Sequence, residues 1–136
     1  RLDVYTHNLA LEYIKKKRPK LVYIAYGETD DFAHGGKYDF YINSLNYTDN
    51  MIAELWDYVQ SNKFYKDNTY FIITTDHGRG LMEDWSGHGT SQASWLAILG
   101  PNIEKTGLVE GKFYTNQIAE TIIQISKKSE TKIPTD

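Results

Sequence analysis

The sequence predicts an α/β fold, a mostly parallel sheet flanked by helices. Short apolar runs rich in β-branched and aromatic residues stand at 20–26 (KLVYIAY), 69–75 (TYFIITT) and 94–100 (SWLAILG). A long amphipathic pattern separates the first two runs, and a second helical pattern follows the third. Strand, helix, strand is a βαβ unit, whose right-handed crossover makes its strands parallel. The first two runs are therefore expected to be neighbours, with helices covering the sheet.

The chain opens with a helix expected from Thr6, its N-cap, to about Lys17. Leu9, Tyr13 and Ile14 form its apolar face, and Pro19 stops it. Lys15, Lys16, Lys17 and Arg18 fall in the last turn, where cations suit the helix dipole. The run 20–26 suits a strand buried on both faces and ends at Gly27. From Lys37 to about Ser61, Tyr38, Tyr41, Ile42, Leu45, Ile52, Leu55, Trp56 and Val59 recur at three- and four-residue steps, a helix of roughly seven turns. The runs at 69–75 and 94–100 are the next strands, the latter closed by Pro101. Helical spacing returns from Tyr114 to about Lys127 through Ile118, Ile122 and Ile125, with Thr115 or Asn116 at the cap and a polar, frayed tail after Ser126.

Composition narrows the function classes. With 136 residues, 40% hydrophobic and a net charge of −3, the chain can bury a core and is not a disordered segment. A single domain over 1–136 is expected. The longest apolar run, Leu21 to Tyr26, is far shorter than the roughly 18 residues that cross a bilayer. The acidic balance provides no basic field or patch for nucleic acid. With no cysteine there is no disulfide, thiolate metal site or cysteine nucleophile. Arg1 in place of Met, without a signal-like leader, reads as a mature or excised piece of a longer protein.

Chemistry concentrates in Asp30-x-x-x-His34, Asp76-His77 and His88 of Gly87-His88-Gly89. Taken singly, each motif also reads as a hydrogen-bonded loop pair or a turn. Both Asp-containing motifs follow predicted strands, and open α/β sheets hold ligands outside the C-terminal strand ends. Adjacent strand residues face opposite ways, so Asp76 and His77 converge only where the backbone leaves the strand, a freedom assigned to Gly78. Carboxylate and neutral imidazole suit Zn²⁺ at about 2.0–2.2 Å, and also Mn²⁺ or Fe²⁺. Five donors exceed the need of one open four-coordinate ion and point to two metals about 3.5–4 Å apart. His7 lacks a partner motif and reads as a surface or packing residue.

GETDDFAHGG, TTDHGRG and WSGHGT resemble, in type and order, the C-terminal metal-binding half of the alkaline phosphatase superfamily. That family includes nucleotide pyrophosphatase/phosphodiesterase-like enzymes, sulfatases and cofactor-independent phosphoglycerate mutases. The resemblance spans 20–126 and implies a partial alkaline-phosphatase-like domain with two divalent ions, zinc first and manganese second. Asp30, His34 and His88 are then the ligands of one ion, while Asp76 and His77 are half the shell of the other. Asp31 is out of register and takes no ligand role. Arg79, next after the Asp-His-Gly motif, reads either as an exposed loop arginine or as a substrate-binding group whose forked guanidinium can reach a phosphate oxygen.

The family's hydroxyl nucleophile and a further Asp lie N-terminal to these motifs, so the resemblance places both upstream of Arg1 and leaves residues 1–136 alone inactive. Ser91 in Gly89-Thr90-Ser91-Gln92-Ala93 departs from a nucleophile elbow at Ala93 and precedes its strand, so it is not assigned that role. The implied parent activity is hydrolysis of phosphate mono- or diesters on a small-molecule substrate. Sulfatases, which typically bind calcium and carry Asn where His77 stands, and mutase-like phosphotransferases are the alternatives. A non-catalytic metal-binding module is the alternative of another class. Composition leaves the compartment open, and the resemblance favours an extracytoplasmic location, periplasmic or secreted. Oligomeric state has no signature in the sequence.

Overall fold

A computed structural model describes residues 2–88, 94–104 and 106–130. The chain divides into two compact units, Arg1–Ile103 and Glu104–Asp136. The first holds helices α1 (Asp3–Lys17), α2 (Glu28–His34) and α3 (Tyr38–Ser61) and strands β1 (Phe71–Thr74) and β2 (Leu96–Leu99). The second holds α4 (Asn116–Glu130), where Ile118, Ile122 and Ile125 are half-buried along one face. This helix continues past Ser126, where fraying was expected; residues 131–136 lie outside the described residues.

Sequence and structure agree best on α3, whose ends fall within a residue of the predicted ones. Its core stripe is Leu55 and Val59, both buried. Trp56 meets Phe71 edge-on at 5.4 Å, tying the helix to β1. Tyr65, just beyond α3, donates its hydroxyl to the Ile14 carbonyl at 2.8 Å and ties α1 to the same core.

The mostly parallel sheet is corrected. Among the described residues the ladder is β1 with β2, antiparallel, in register from Phe71 opposite Leu99 to Thr74 opposite Leu96. The run 20–26 joins no ladder there, so the expected parallel pairing with 69–75 is not seen. Its burial alternates, with Leu21 66% and Tyr23 90% exposed, whereas a strand buried on both faces would hide both. What the sequence reads as a central strand is a one-sided run.

The start of α1 is also corrected. It begins at Asp3, three residues before the predicted cap Thr6, and its N-cap Leu2 supplies no side-chain bond. Its buried line is Asp3, His7 and Leu11 rather than Leu9 and Tyr13, which are 72% and 54% exposed. Leu9 and Tyr13 line an open groove with Leu21 and Ile24. The buried line wins because it carries a hydrogen-bond network. The Asp3 carboxylate accepts from the backbone N–H groups of Gly27 (2.8 Å) and Glu28 (2.9 Å), and the Asp3 N–H donates back to Glu28 Oε2 at 3.0 Å. Across the core, His7 Nε2–H donates to the Glu54 carboxylate on α3 at 2.9 Å, and Nδ1 is hydrogen-bonded to the Tyr26 hydroxyl at 2.9 Å.

Burial, with the Asp3 and Glu54 carboxylates as further causes, pushes the Tyr26 hydroxyl up to about 12. The folded chain keeps a proton that the unfolded chain releases near pH 10, so this contribution is present below about pH 10 and lost as pH rises towards about 12. Denaturation midpoints should therefore fall more between about pH 9 and about pH 11 in the wild type than in Tyr26→Phe. Equal falls in the two proteins would contradict this account of the network.

Candidate metal centre

Asp30 and His34 stand on α2, a seven-residue helix in a stretch for which the sequence predicts no element. Four-residue spacing stacks their side chains on one helix face. Gly27, the N-cap, offers no side chain, so the carboxylate of Asp3 on α1 caps the helix instead. Without it two backbone donors would lose their acceptor, at about 1–3 kcal/mol if they stayed buried. Ala33 is fully buried, and Phe32 meets Phe40 of α3 at 5.4 Å. At the other end Gly36 takes φ 66°, which lets its N–H reach the Ala33 carbonyl and the Lys37 N–H the Phe32 carbonyl, both at 2.9 Å.

The remaining motif residues ride on the long connection from Thr75 to Trp95. Its base is closed by the β1–β2 ladder and by the Thr74 hydroxyl, which donates to the Trp95 carbonyl at 2.8 Å. Midway, Trp85 is sandwiched against Tyr38 (5.3 Å) and Tyr41 (5.9 Å) of α3, so the connection is held to the helix that follows α2. Gly80 is buried at a close approach: a Cβ there would run into the Asp84 carbonyl and stand 2.8 Å from its carboxylate. Gly78 is not at positive φ, and the freedom expected of it is unused; its carbonyl serves instead, accepting His77 Nδ1–H at 2.8 Å. In the neutral ring that bond leaves the Nε2 lone pair as the donor atom.

The three motifs meet. Asp30, His34 and His88 each present one donor atom to a common point, all within 4.8 Å of one another. The separations are 2.9 Å between the two Nε2 atoms, 3.4 Å from His34 to Asp30 Oδ2 and 3.6 Å from His88 to Asp30 Oδ1. Donors at about 2.0–2.1 Å from a tetrahedral ion stand about 3.3 Å apart, comparable to each of these separations, with His34 facing one oxygen of the Asp30 carboxylate and His88 the other. Two imidazoles and a carboxylate, roughly half exposed to solvent, thus fit a zinc-type divalent ion with a position left open.

His77 joins the same cluster. Its ring lies 3.9 Å from that of His88, and its Nε2 is 3.6 Å from Asp30 Oδ1. Asp76 stands at the solvent edge of the cluster: its side chain is 91% exposed, with Oδ1 accepting from the His77 N–H at 3.1 Å and lying 3.7 Å from His77 Nε2. The two members of the expected second donor pair are therefore neighbours, His77 inside the cluster and Asp76 at its rim. Arg79, 18% exposed, is ion-paired with Asp30 Oδ1 and so belongs to the cluster rather than to the surface. Asp31 is exposed, consistent with its lack of a role. Ser91 lies in 89–93, outside the described residues.

Residues 5–126 match the family model of the Metalloenzyme superfamily. The chain belongs to that superfamily. The resemblance carried by the three motifs is borne out at this level, and membership of the Metalloenzyme superfamily makes the chain part of a metal-dependent enzyme family. No curated protein and no solved structure matches the chain. Among the described residues, no helix is long and apolar enough to cross a membrane.

Sequence reasoning missed Asp3, His7 and the network that sets α2. A stripe was visible, since Asp3, His7, Leu11 and Ile14 recur at helical steps. What it could not reveal is that the polar members find partners on α3 and at the start of α2.

Proposed function

We propose that the chain carries the metal-binding part of a two-metal hydrolase of phosphate mono- or diesters, with zinc as the resident ion and manganese as a substitute. The observation that supports it most is the donor triangle of Asp30, His34 and His88 with a guanidinium beside it, because phosphoryl transfer needs a cation and a second positive group at the same oxygens. Bound there, a divalent ion supplies Lewis acidity and favours deprotonation of a hydroxyl nucleophile. Asp30, His34 and His88 would hold the first ion, and His77 and Asp76 part of the second. Gly78 fixes the His77 ring through Nδ1, so Nε2 meets its ligand without a tautomer change. Arg79 would grip a substrate oxygen. His77 and the lack of an oxygen-rich donor set favour this reading over a calcium-binding sulfatase.

Among the described residues no hydroxyl is hydrogen-bonded to His34, His77 or His88, and the nucleophile is proposed to lie outside residues 1–136. An extracytoplasmic location accompanies the proposal. Residues 1–136 should then hydrolyse p-nitrophenyl phosphate and its bis-ester no faster than buffer with Zn²⁺, while the protein extended by its upstream sequence should show turnover that a chelator abolishes. Turnover by 1–136 that Ser91→Ala removed would defeat the assignment of the nucleophile.

A further inference from the structure

The position of Arg79 presents a conflict. One oxygen, Asp30 Oδ1, is ion-paired with the guanidinium and also faces Nε2 of His77 and of His88, each at 3.6 Å. A cation held by Asp30, His34 and His88 would take the same carboxylate and repel the same guanidinium. The other contacts of Arg79 are loose, at 3.4 Å to the carbonyls of Asp30 and Ser86. Its hold is therefore chiefly on the Asp30 carboxylate. Among the described residues Asp30 is the carboxylate paired with Arg79, and Asp76, the other acidic residue of the motifs, stands in solvent.

We propose that Arg79 is an exchangeable partner of Asp30: it neutralises the carboxylate until a divalent cation takes it, and the exchange frees the guanidinium to bind a tetrahedral dianion beside that cation. This rests on the reading of Asp30, His34 and His88 as a cation site and adds a regulation to it. Burial of the side chain and the loose carbonyl contacts keep the freed fork next to the site. Cation and guanidinium then share an unbalanced positive charge that a phosphoryl-like dianion satisfies, with the fork supplying paired N–H donors. Metal and anion binding are thereby coupled, and the coupling is reciprocal.

Zinc affinity, measured by competition with a chromophoric chelator, tests the exchange with sulfate as the dianion and chloride at equal ionic strength as the control. In the wild type, sulfate should tighten Zn²⁺ about fivefold or more. Arg79→Gln should bind Zn²⁺ about three- to tenfold more tightly than wild type without sulfate, because the competitor is gone. Its response to sulfate should shrink to about twofold or less. Arg79→Lys, which keeps the charge without the fork, should stay near wild type in sulfate-free zinc affinity. Unchanged or weaker zinc binding by Arg79→Gln, with the wild type still binding through His34 and His88, overturns the exchange alone. A wild type that binds no zinc overturns the site as well.

Discussion

Replacing His34 or His88 by alanine should cost the chain most of its Zn²⁺ affinity. Loss of a partner behind a ligand already costs about 10- to 100-fold, and loss of a ligand itself should cost about 100-fold or more. The two imidazoles hold equivalent places, since their Nε2 atoms face each other at 2.9 Å across the point they share with Asp30. Removing either leaves one imidazole of the triangle, with His77 beside it, and a carboxylate already paired with Arg79. The folded core should be little disturbed, because both side chains are about half exposed and neither contributes to the buried set around Leu11, Leu55 and Val59. Asp31→Asn, one step along α2 and exposed, serves as the control and should bind like wild type. Competition titration decides it, and unchanged stoichiometry and affinity in both alanine variants would show that the ligands were misassigned.

What was legible in the sequence depended on how far each signal reached along the chain. Twenty-four residues of three- and four-step apolar spacing defined α3 almost to the residue, because that period needs only the helix and one face to bury. The seven residues of α2 are too few for a period to show, and they begin after a glycine with no cap of their own. Their N-terminal cap is Asp3, 24 positions before Gly27, and no local pattern carries that. The same distance hid the right face of α1: hydrophobicity favoured Leu9 and Tyr13, whereas Asp3 and His7 are buried because acceptors and donors from elsewhere satisfy them. The run 20–26 has strand composition, but composition does not say whether a neighbour pairs with it. The candidate site was more legible than the fold around it. Donor chemistry is written in residue types, and Asp30, His34, His77 and His88 come together although the helix at Glu28–His34 was not foreseen.

The second metal position should be the weaker one in this chain. His77 offers Nε2 to the cluster, with its other nitrogen fixed by the Gly78 carbonyl, but its partner Asp76, whose Oδ1 is 3.7 Å from that Nε2, is 91% exposed. Protein donors at that position are then one oriented imidazole and one solvated carboxylate, which leaves most of a shell to water, and affinity falls with each donor not supplied by the protein. At modest zinc concentration the chain should hold about one ion rather than the two of a hydrolytic pair. Asp76→Ala should change the affinity of that ion less than about threefold, since rim charges near solvent are well screened. Anomalous scattering at the zinc edge from crystals grown with limiting metal distinguishes the two positions directly. Density between Asp30, His34 and His88 is the expected result. A filled position beside Asp76 and His77 with none at the triangle would mean that the exposed carboxylate gives up its solvent at little cost and that Arg79 holds Asp30 more firmly than a divalent cation does.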